Sequence, residues 1–171
     1  MGRPMETGKL TLVLGGARSG KSRHAEAIVL REPPPWTYVA TAQVFDDEMR
    51  ERVDVHRARR AEGWRTIEAP IDVAAALGSP GPAMVDCLTL WLTNVMLAEL
   101  DVAAETARLE AAVVRRAGVT VLVSNEVGLG IVPDNALARR FRDAAGVLHQ
   151  RLAARADGVV MMVAGLPLKV K

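Results

Sequence analysis

Five short apolar runs punctuate the chain: Leu10 to Leu14, Thr37 to Thr41, Ala83 to Cys87, Val119 to Ser124 and Val159 to Val163. Each is rich in β-branched residues and bounded by Gly, Pro or charged positions, which predicts buried strands. The apolar positions are nearly continuous rather than alternating, as in parallel strands covered on both faces. Between the runs, apolar residues recur at helical spacing over 21–31, 46–61, 71–77, 88–99, 102–117 and 135–156. Strand followed by helix, repeated along the chain, predicts an α/β fold with a mainly parallel sheet flanked by helices and right-handed crossovers. The one Pro/Gly cluster, in "APIDVAAALGSPGPA", is too short to divide domains. Residues 1–171 therefore read as a single domain, with disorder expected only at the ends, at 1–8. No internal repeat interrupts the pattern.

Composition changes this picture little. A chain of 171 residues, half hydrophobic and a quarter charged, buries a core without disulfides or a structural metal. Its cations are 18 Arg against 4 Lys. The planar guanidinium suits phosphate, although a coding bias toward Ala and Arg accounts for the excess equally well. A net charge of +2 is too small for a dedicated nucleic-acid binder. Cys87 is the only cysteine, which excludes an intrachain disulfide and a CxxC metal site and fits a reducing cytoplasm. No run approaches the ~18 apolar residues of a membrane span, and no signal peptide precedes Gly15. A soluble cytoplasmic protein is expected.

The sharpest chemical signal follows the first run. Gly15, Gly16, Ala17, Arg18, Ser19, Gly20, Lys21 and Ser22 match G-x-x-x-x-G-K-[ST] between a predicted strand and a predicted helix. Glycines let successive backbone N–H groups turn inward on phosphate oxygens, and the helix start adds partial positive charge. Lys21 would reach the β and γ phosphates, and the Ser22 hydroxyl would ligate Mg²⁺. Asp86, at the end of the third run, is either the carboxylate that a second strand supplies to the metal's water shell or the N-cap of the helix expected from Leu88. Asn125 and Glu126 stand at the carboxyl end of the fourth run, where open α/β sheets bind ligands. Glu126 reads as a metal or substrate ligand or as a turn cap, and Asp134 as the N-cap of the following helix.

A P-loop does not identify the acceptor. A GTPase switch is disfavoured, since no N-K-x-D motif is present and "DAAG", 143–146, falls inside a predicted helix. A small-molecule kinase would use Arg50, Arg52, Arg57 and Arg60 of "RERVDVHRARR" as a phosphate clamp, and leaves His56 idle. A nucleotidyltransferase would use His56 as nucleophile toward phosphorus, with the same arginines stabilising the charge that develops. If 46–61 is helical, Val53, His56, Arg57 and Arg60 share one face.

The blocks "GGARSGKSRHAE", "YVATAQVFDDEMRERVDVHRARRAEGWRTIEAP", "VDCLTLWLTN", "SNEVGLGIVPDNALARRFRDAAGVLHQRLAARAD" and "VVMMVAGLPLKVK" occur in unbroken order from Lys9 to Lys171. Together they resemble the bifunctional adenosylcobinamide kinase/adenosylcobinamide-phosphate guanylyltransferase family of cobalamin biosynthesis. The resemblance implies a RecA-like P-loop NTPase sheet, Mg²⁺, and two reactions. ATP or GTP phosphorylates adenosylcobinamide; GTP then gives GMP to adenosylcobinamide phosphate through a guanylylated histidine, yielding adenosylcobinamide-GDP and pyrophosphate. The histidine aligned with that nucleophile is His56. Nucleotide contacts implied by the family fall on Gly15 to Ser22, Ala40, Thr41, Ala42, Arg57, Ala58, Arg59, Arg60, Glu68 and Asp86. Relatives carry Glu or Asp at the last position. His24 is a family feature that either touches phosphate or packs, and a homotrimer is implied. The alternative is a P-loop kinase lacking the histidyl step.

Overall fold

The computed structural model describes residues 9–43, 47–58 and 62–171, without the side chains of Glu48, Met49, Arg52, Val53, His56 and Arg57. The residues expected to be disordered, 1–8, lie outside this set. In chain order the elements are β1 (Leu10–Gly15), α1 (Lys21–Val29), β2 (Trp36–Ala40), α2 (Asp47–Ala58), β3 (Trp64–Glu68), α3 (Val73–Ala76) and β4 (Ala83–Asp86). There follow α4 (Leu88–Leu97), α5 (Val102–Val114), β5 (Thr120–Asn125), α6 (Ala136–Arg155), β6 (Gly158–Val163) and β7 (Leu166–Lys169).

All seven strands form one sheet in the order β3-β2-β4-β5-β1-β6-β7. The first six are parallel to their neighbours, and β7 returns antiparallel along β6. Near-continuous apolar strands are explained by two buried faces. Leu12, Val85, Leu122 and Val159 meet α4, α5 and α6 through Trp91, Leu109 and Leu148. On the other face Val13, Met84, Val121 and Val123 meet Ala25 and Val29 of α1. Adjacent residues Leu12 and Val13 are thus both fully buried, one on each side.

β3 and β7 were not foreseen as strands. Both are sheet edges: β3 carries exposed Arg65 and Glu68, and every residue of β7 is exposed. An edge strand bonds on one side only and needs no apolar run, and Pro167 is tolerated there for the same reason.

The helix starts are set by side-chain caps where water is the alternative. Asp72 accepts from Ala75 N, Asp101 from Ala103 N and Ala104 N, and Asn135 from Ala138 N. The cap of α6 is therefore Asn135, not Asp134; the helix begins one residue later than expected, at Ala136. The Pro/Gly cluster is fastened rather than loose. The Arg116 guanidinium donates to the carbonyls of Leu77, Ser79 and Gly81, and its Nε to Thr120 Oγ1.

Candidate functional site

The cradle lies where β1 turns into α1. A Cβ on Gly15 would stand 2.5 Å from Ser19 Oγ and 2.8 Å from the Met162 carbonyl, so only glycine lets the loop close over the strand end. Gly20, at φ 91°, caps α1 with no side-chain bond, leaving the first N–H groups of the helix to an anion. The turn of the β6–β7 hairpin braces the loop, with Gly165 N donating to Ser19 O at 3.1 Å. That brace was not legible in the motif. Gly16, Ala17 and Arg18 are exposed, Ser22 is half-buried, and Ser19 and Lys21 are buried. Lys21 Nζ folds into the cradle, donating to Gly16 O at 2.5 Å and to Ser19 Oγ at 3.5 Å. Burial pushes its ammonium below the ordinary 10.5, opposed by the neighbouring Asp86 carboxylate.

Asp86 ends β4, separated from β1 by β5. It is not the cap of α4, a position taken by Cys87 without a side-chain bond. Instead Asp86 Oδ2 accepts from Tyr38 Oη at 3.1 Å and lies within electrostatic reach of Lys21. Burial and the Asp86 charge push the Cys87 thiol above 9.0, so it stays protonated and poorly nucleophilic.

Ala40 closes β2 opposite Asp86, and Thr41 and Ala42 follow it. Thr41 is fully buried, and its hydroxyl is committed: it donates to Cys87 O at 2.7 Å and accepts from Cys87 N at 2.8 Å. Asn94 of α4 donates to Thr41 O at 2.8 Å and to Pro70 O at 2.9 Å, tying the carboxyl ends of β2, β3 and β4 together. Tyr38 and Asn94 had no place in the sequence reading. Their only signal was a polar group inside an apolar run, which must find a partner when buried.

The end of β5 is laced in the same way. His149 Nε2 lies 2.8 Å from Ser124 Oγ, Ser124 Oγ lies 3.3 Å from Thr89 Oγ1, and Thr89 Oγ1 accepts from Asn125 N at 2.7 Å. Burial pushes the His149 imidazole below its usual 6.5, opposed by the charge of Glu126. Glu126 N donates to Gly15 O at 2.9 Å, and its carboxylate Oε1 accepts from Gly128 N at 2.5 Å.

Two expected residues stand further away. His24 lines a groove with Thr11, Ile28, Arg31 and Lys169 on the flank of α1. Glu68, at the end of β3, borders a groove of about 630 Å³ with Gln43 and Arg65. β3 is four strands from β1, about 19 Å at the usual strand spacing. The helix expected to carry the nucleophile is present as α2, from Asp47 to Ala58. Its described side chains, Asp47, Arg50, Glu51, Asp54, Val55 and Ala58, are exposed, and Arg50 pairs with Asp47 at 3.6 Å. The side chains of Arg52, His56 and Arg57, and all of Arg59 and Arg60, lie outside the described residues.

A model of the family described as cobinamide kinase/cobinamide phosphate guanyltransferase matches residues 11–170. The chain is 48% identical over 168 residues to the bifunctional adenosylcobalamin biosynthesis protein CobP of Pseudomonas aeruginosa, covering 94% of this chain and 96% of that one. It is 44% identical over 181 residues to the bifunctional adenosylcobalamin biosynthesis protein CobU of Salmonella typhimurium, covering 95% and 99%. Identity to the protein of that name in Escherichia coli is 41%, with the same coverage. A solved Pyrococcus horikoshii protein aligns with a TM-score of 0.54 over 97% of this chain and 87% of that one, at 9% identity. That last likeness is one of fold.

Proposed function

Because the chain belongs to the cobinamide kinase/cobinamide phosphate guanyltransferase family of adenosylcobalamin biosynthesis, we propose how its own residues divide the two reactions. In the first, a nucleoside triphosphate, ATP or GTP, phosphorylates the hydroxyl of adenosylcobinamide. In the second, GTP gives GMP to that phosphate and pyrophosphate leaves. The observation that carries the reading is a family match across 160 positions, 11–170, whose P-loop stands beside a strand ending and across from Asp86. A kinase lacking the second step is not favoured, since the match spans a family that performs both.

Gly15 to Ser22 hold the terminal phosphates, with Lys21 leaving its Gly16 contact to meet them. The donor set fits Mg²⁺: one hydroxyl, Ser22, and one carboxylate, Asp86, leave the other positions to phosphates and water. Among the described residues no cluster of three His, Cys, Asp or Glu offers a full protein cage. When bound, the ion would draw negative charge from the phosphoryl oxygens. Ala40, Thr41, Ala42 and Glu68 receive the rest of the nucleotide along the carboxyl ends of β2 and β3, Thr41 through its backbone because its hydroxyl is spent on Cys87.

For guanylyl transfer, an imidazole nitrogen of His56 attacks the α-phosphorus, and the bond to the β-phosphate oxygen breaks with its electron pair on pyrophosphate. Arg57, Arg59 and Arg60, with the backbone at Ala58, steady that charge. The phosphate of the acceptor then displaces the histidine nitrogen. α-Labelled GTP should leave acid-labile, base-stable GMP on the wild-type chain and none on His56→Ala. An unlabelled wild type with intact kinase activity sinks the histidyl step. The working unit is a cytoplasmic homotrimer on this reading, which sedimentation velocity checks directly; a monomer at micromolar concentration contradicts it. No helix among the described residues is long and apolar enough to cross a membrane.

A further inference from the structure

The two reactions need different acceptors, and no residue assigned above meets the hydroxyl in the first. Three strands of the sheet present a carboxylate at the ligand-facing edge: Glu68 as the last residue of β3, Asp86 as the last of β4, and Glu126 directly after β5. Their sideways separations from the cradle strand β1 are four, two and one strands, or about 19, 10 and 5 Å. Glu68 is too distant to touch a γ-phosphoryl group held by the loop. Asp86 is engaged by the Tyr38 hydroxyl and acts on the Lys21 ammonium.

Glu126 differs from both. Its backbone N–H is fixed to Gly15 O, the first residue of the cradle, at 2.9 Å. Its Oε1 is held by Gly128 N at 2.5 Å, in the turn that follows β5. Its other oxygen, Oε2, has no hydrogen bond or ion pair among the described residues, and the side chain is half-buried. The strand end that carries it is locked from behind by Thr89 on Asn125 N and by His149 on Ser124. A carboxylate with one oxygen immobilised, one oxygen open and its backbone clamped to a phosphate loop is preorganised to orient a hydroxyl.

We propose that Glu126 is the acceptor-side carboxylate of the phosphoryl-transfer reaction, and it rests on the kinase half of the functional reading. Oε2 accepts the hydrogen bond of the acceptor hydroxyl. As that oxygen bonds to the γ-phosphorus, the β–γ bridging bond breaks with its electron pair on the nucleoside diphosphate. The hydroxyl proton passes to Glu126 and then to solvent. Guanylyl transfer has a phosphate acceptor already ionised at neutral pH and does not need this base.

The test uses the full chain, wild type against Glu126→Gln, whose amide oxygen keeps the bond from Gly128. Phosphorylation of adenosylcobinamide by ATP and guanylylation of preformed adenosylcobinamide phosphate by GTP are assayed separately, with nucleotide affinity measured by titration. The kinase kcat of the variant should fall at least about 100-fold, with guanylylation reduced less than about 3-fold and nucleotide affinity little changed. Glu126→Asp should recover part of the kinase rate. A variant that keeps more than a tenth of the wild-type kinase rate overturns the proposal. So does equal loss of both reactions, or loss of nucleotide binding, since either makes Glu126 a part of the cradle. A wild-type chain that phosphorylates no cobinamide would instead remove the functional reading, and the proposal with it.

Discussion

Thr41 lies in the segment proposed above to receive nucleotide, yet its hydroxyl is fully buried and spans Cys87, as acceptor for its N–H and donor to its carbonyl. Replacing it by valine conserves shape and removes both bonds. The Cys87 N–H is then left buried without a partner, at a cost of about 1–3 kcal/mol. The Cys87 carbonyl keeps Trp91 N at 3.2 Å, so that side loses only about 0.5–1.5 kcal/mol. The expected total for Thr41→Val is about 1.5–4.5 kcal/mol. Thr41→Ser keeps the hydroxyl and loses one buried methyl, about 1 kcal/mol. Urea unfolding monitored by tryptophan fluorescence reads the difference. With a slope of about 2–3 kcal/mol/M, the valine midpoint should move down by about 1 M and the serine midpoint by less than half of that. Suppose valine unfolds within about 0.2 M of wild type while triphosphate affinity drops. The hydroxyl would then serve nucleotide rather than Cys87, and the positioning argument would be wrong.

Gly15→Ala should weaken triphosphate binding at least about 10-fold, roughly 1.4 kcal/mol, because its Cβ would meet Ser19 Oγ at 2.5 Å; titration with a fluorescent nucleotide analogue giving wild-type affinity would refute this. His149 supplies a pH dependence. Its folded imidazole is held below 6.5, chiefly by burial, so the unfolded chain takes up the proton first. The stability tied to the neutral ring is complete above 6.5 and is lost as pH falls from there toward the folded value. Denaturant unfolding between about pH 7.5 and 5.5 should show a downward slope that flattens in His149→Gln, and identical slopes would contradict the burial argument.

The strands that position the site were legible because they are covered on both faces. Leu12, Val85 and Leu122 meet one helical layer and Val13, Met84 and Val123 meet the other, so each run had to be apolar throughout. The edges lack that constraint. Trp64 of β3 rests on Trp36 at 5.6 Å and Tyr38 at 6.2 Å between ring centroids, but its strand pairs with β2 alone. None of its five residues is fully buried, three being half-buried and two exposed, so the strand carries no apolar run. β7 is exposed along its whole length and betrays itself only through Gly165, whose φ of 80° makes the turn back from β6. That turn matters to the site, because it supplies the N–H on Ser19.

The cradle and its supports differ in legibility for a physical reason. Backbone groups of consecutive residues make the P-loop, so eight letters encode its geometry. The lattice beneath it joins residues far apart in sequence: Thr41 with Cys87 at a separation of 46, Asn94 with Thr41 at 53, His149 with Ser124 at 25, and Asn125 with Thr89 at 36. A polar residue on a core-facing position announces that it needs a partner; only the strand order says which. The same order sets the terminal carboxylates at different distances from the cradle. β5 intervenes between the P-loop strand and the strand of Asp86, so Asp86 faces the cradle across one strand. Glu126 borders the cradle with nothing between, a position suited to direct contact with a reacting hydroxyl. Glu68 stands four strands away, at about the length of an extended nucleotide rather than a bond, which suits recognition of the far end of the ligand. One sheet edge thereby offers three acidic groups whose chemistry is separated by strand order.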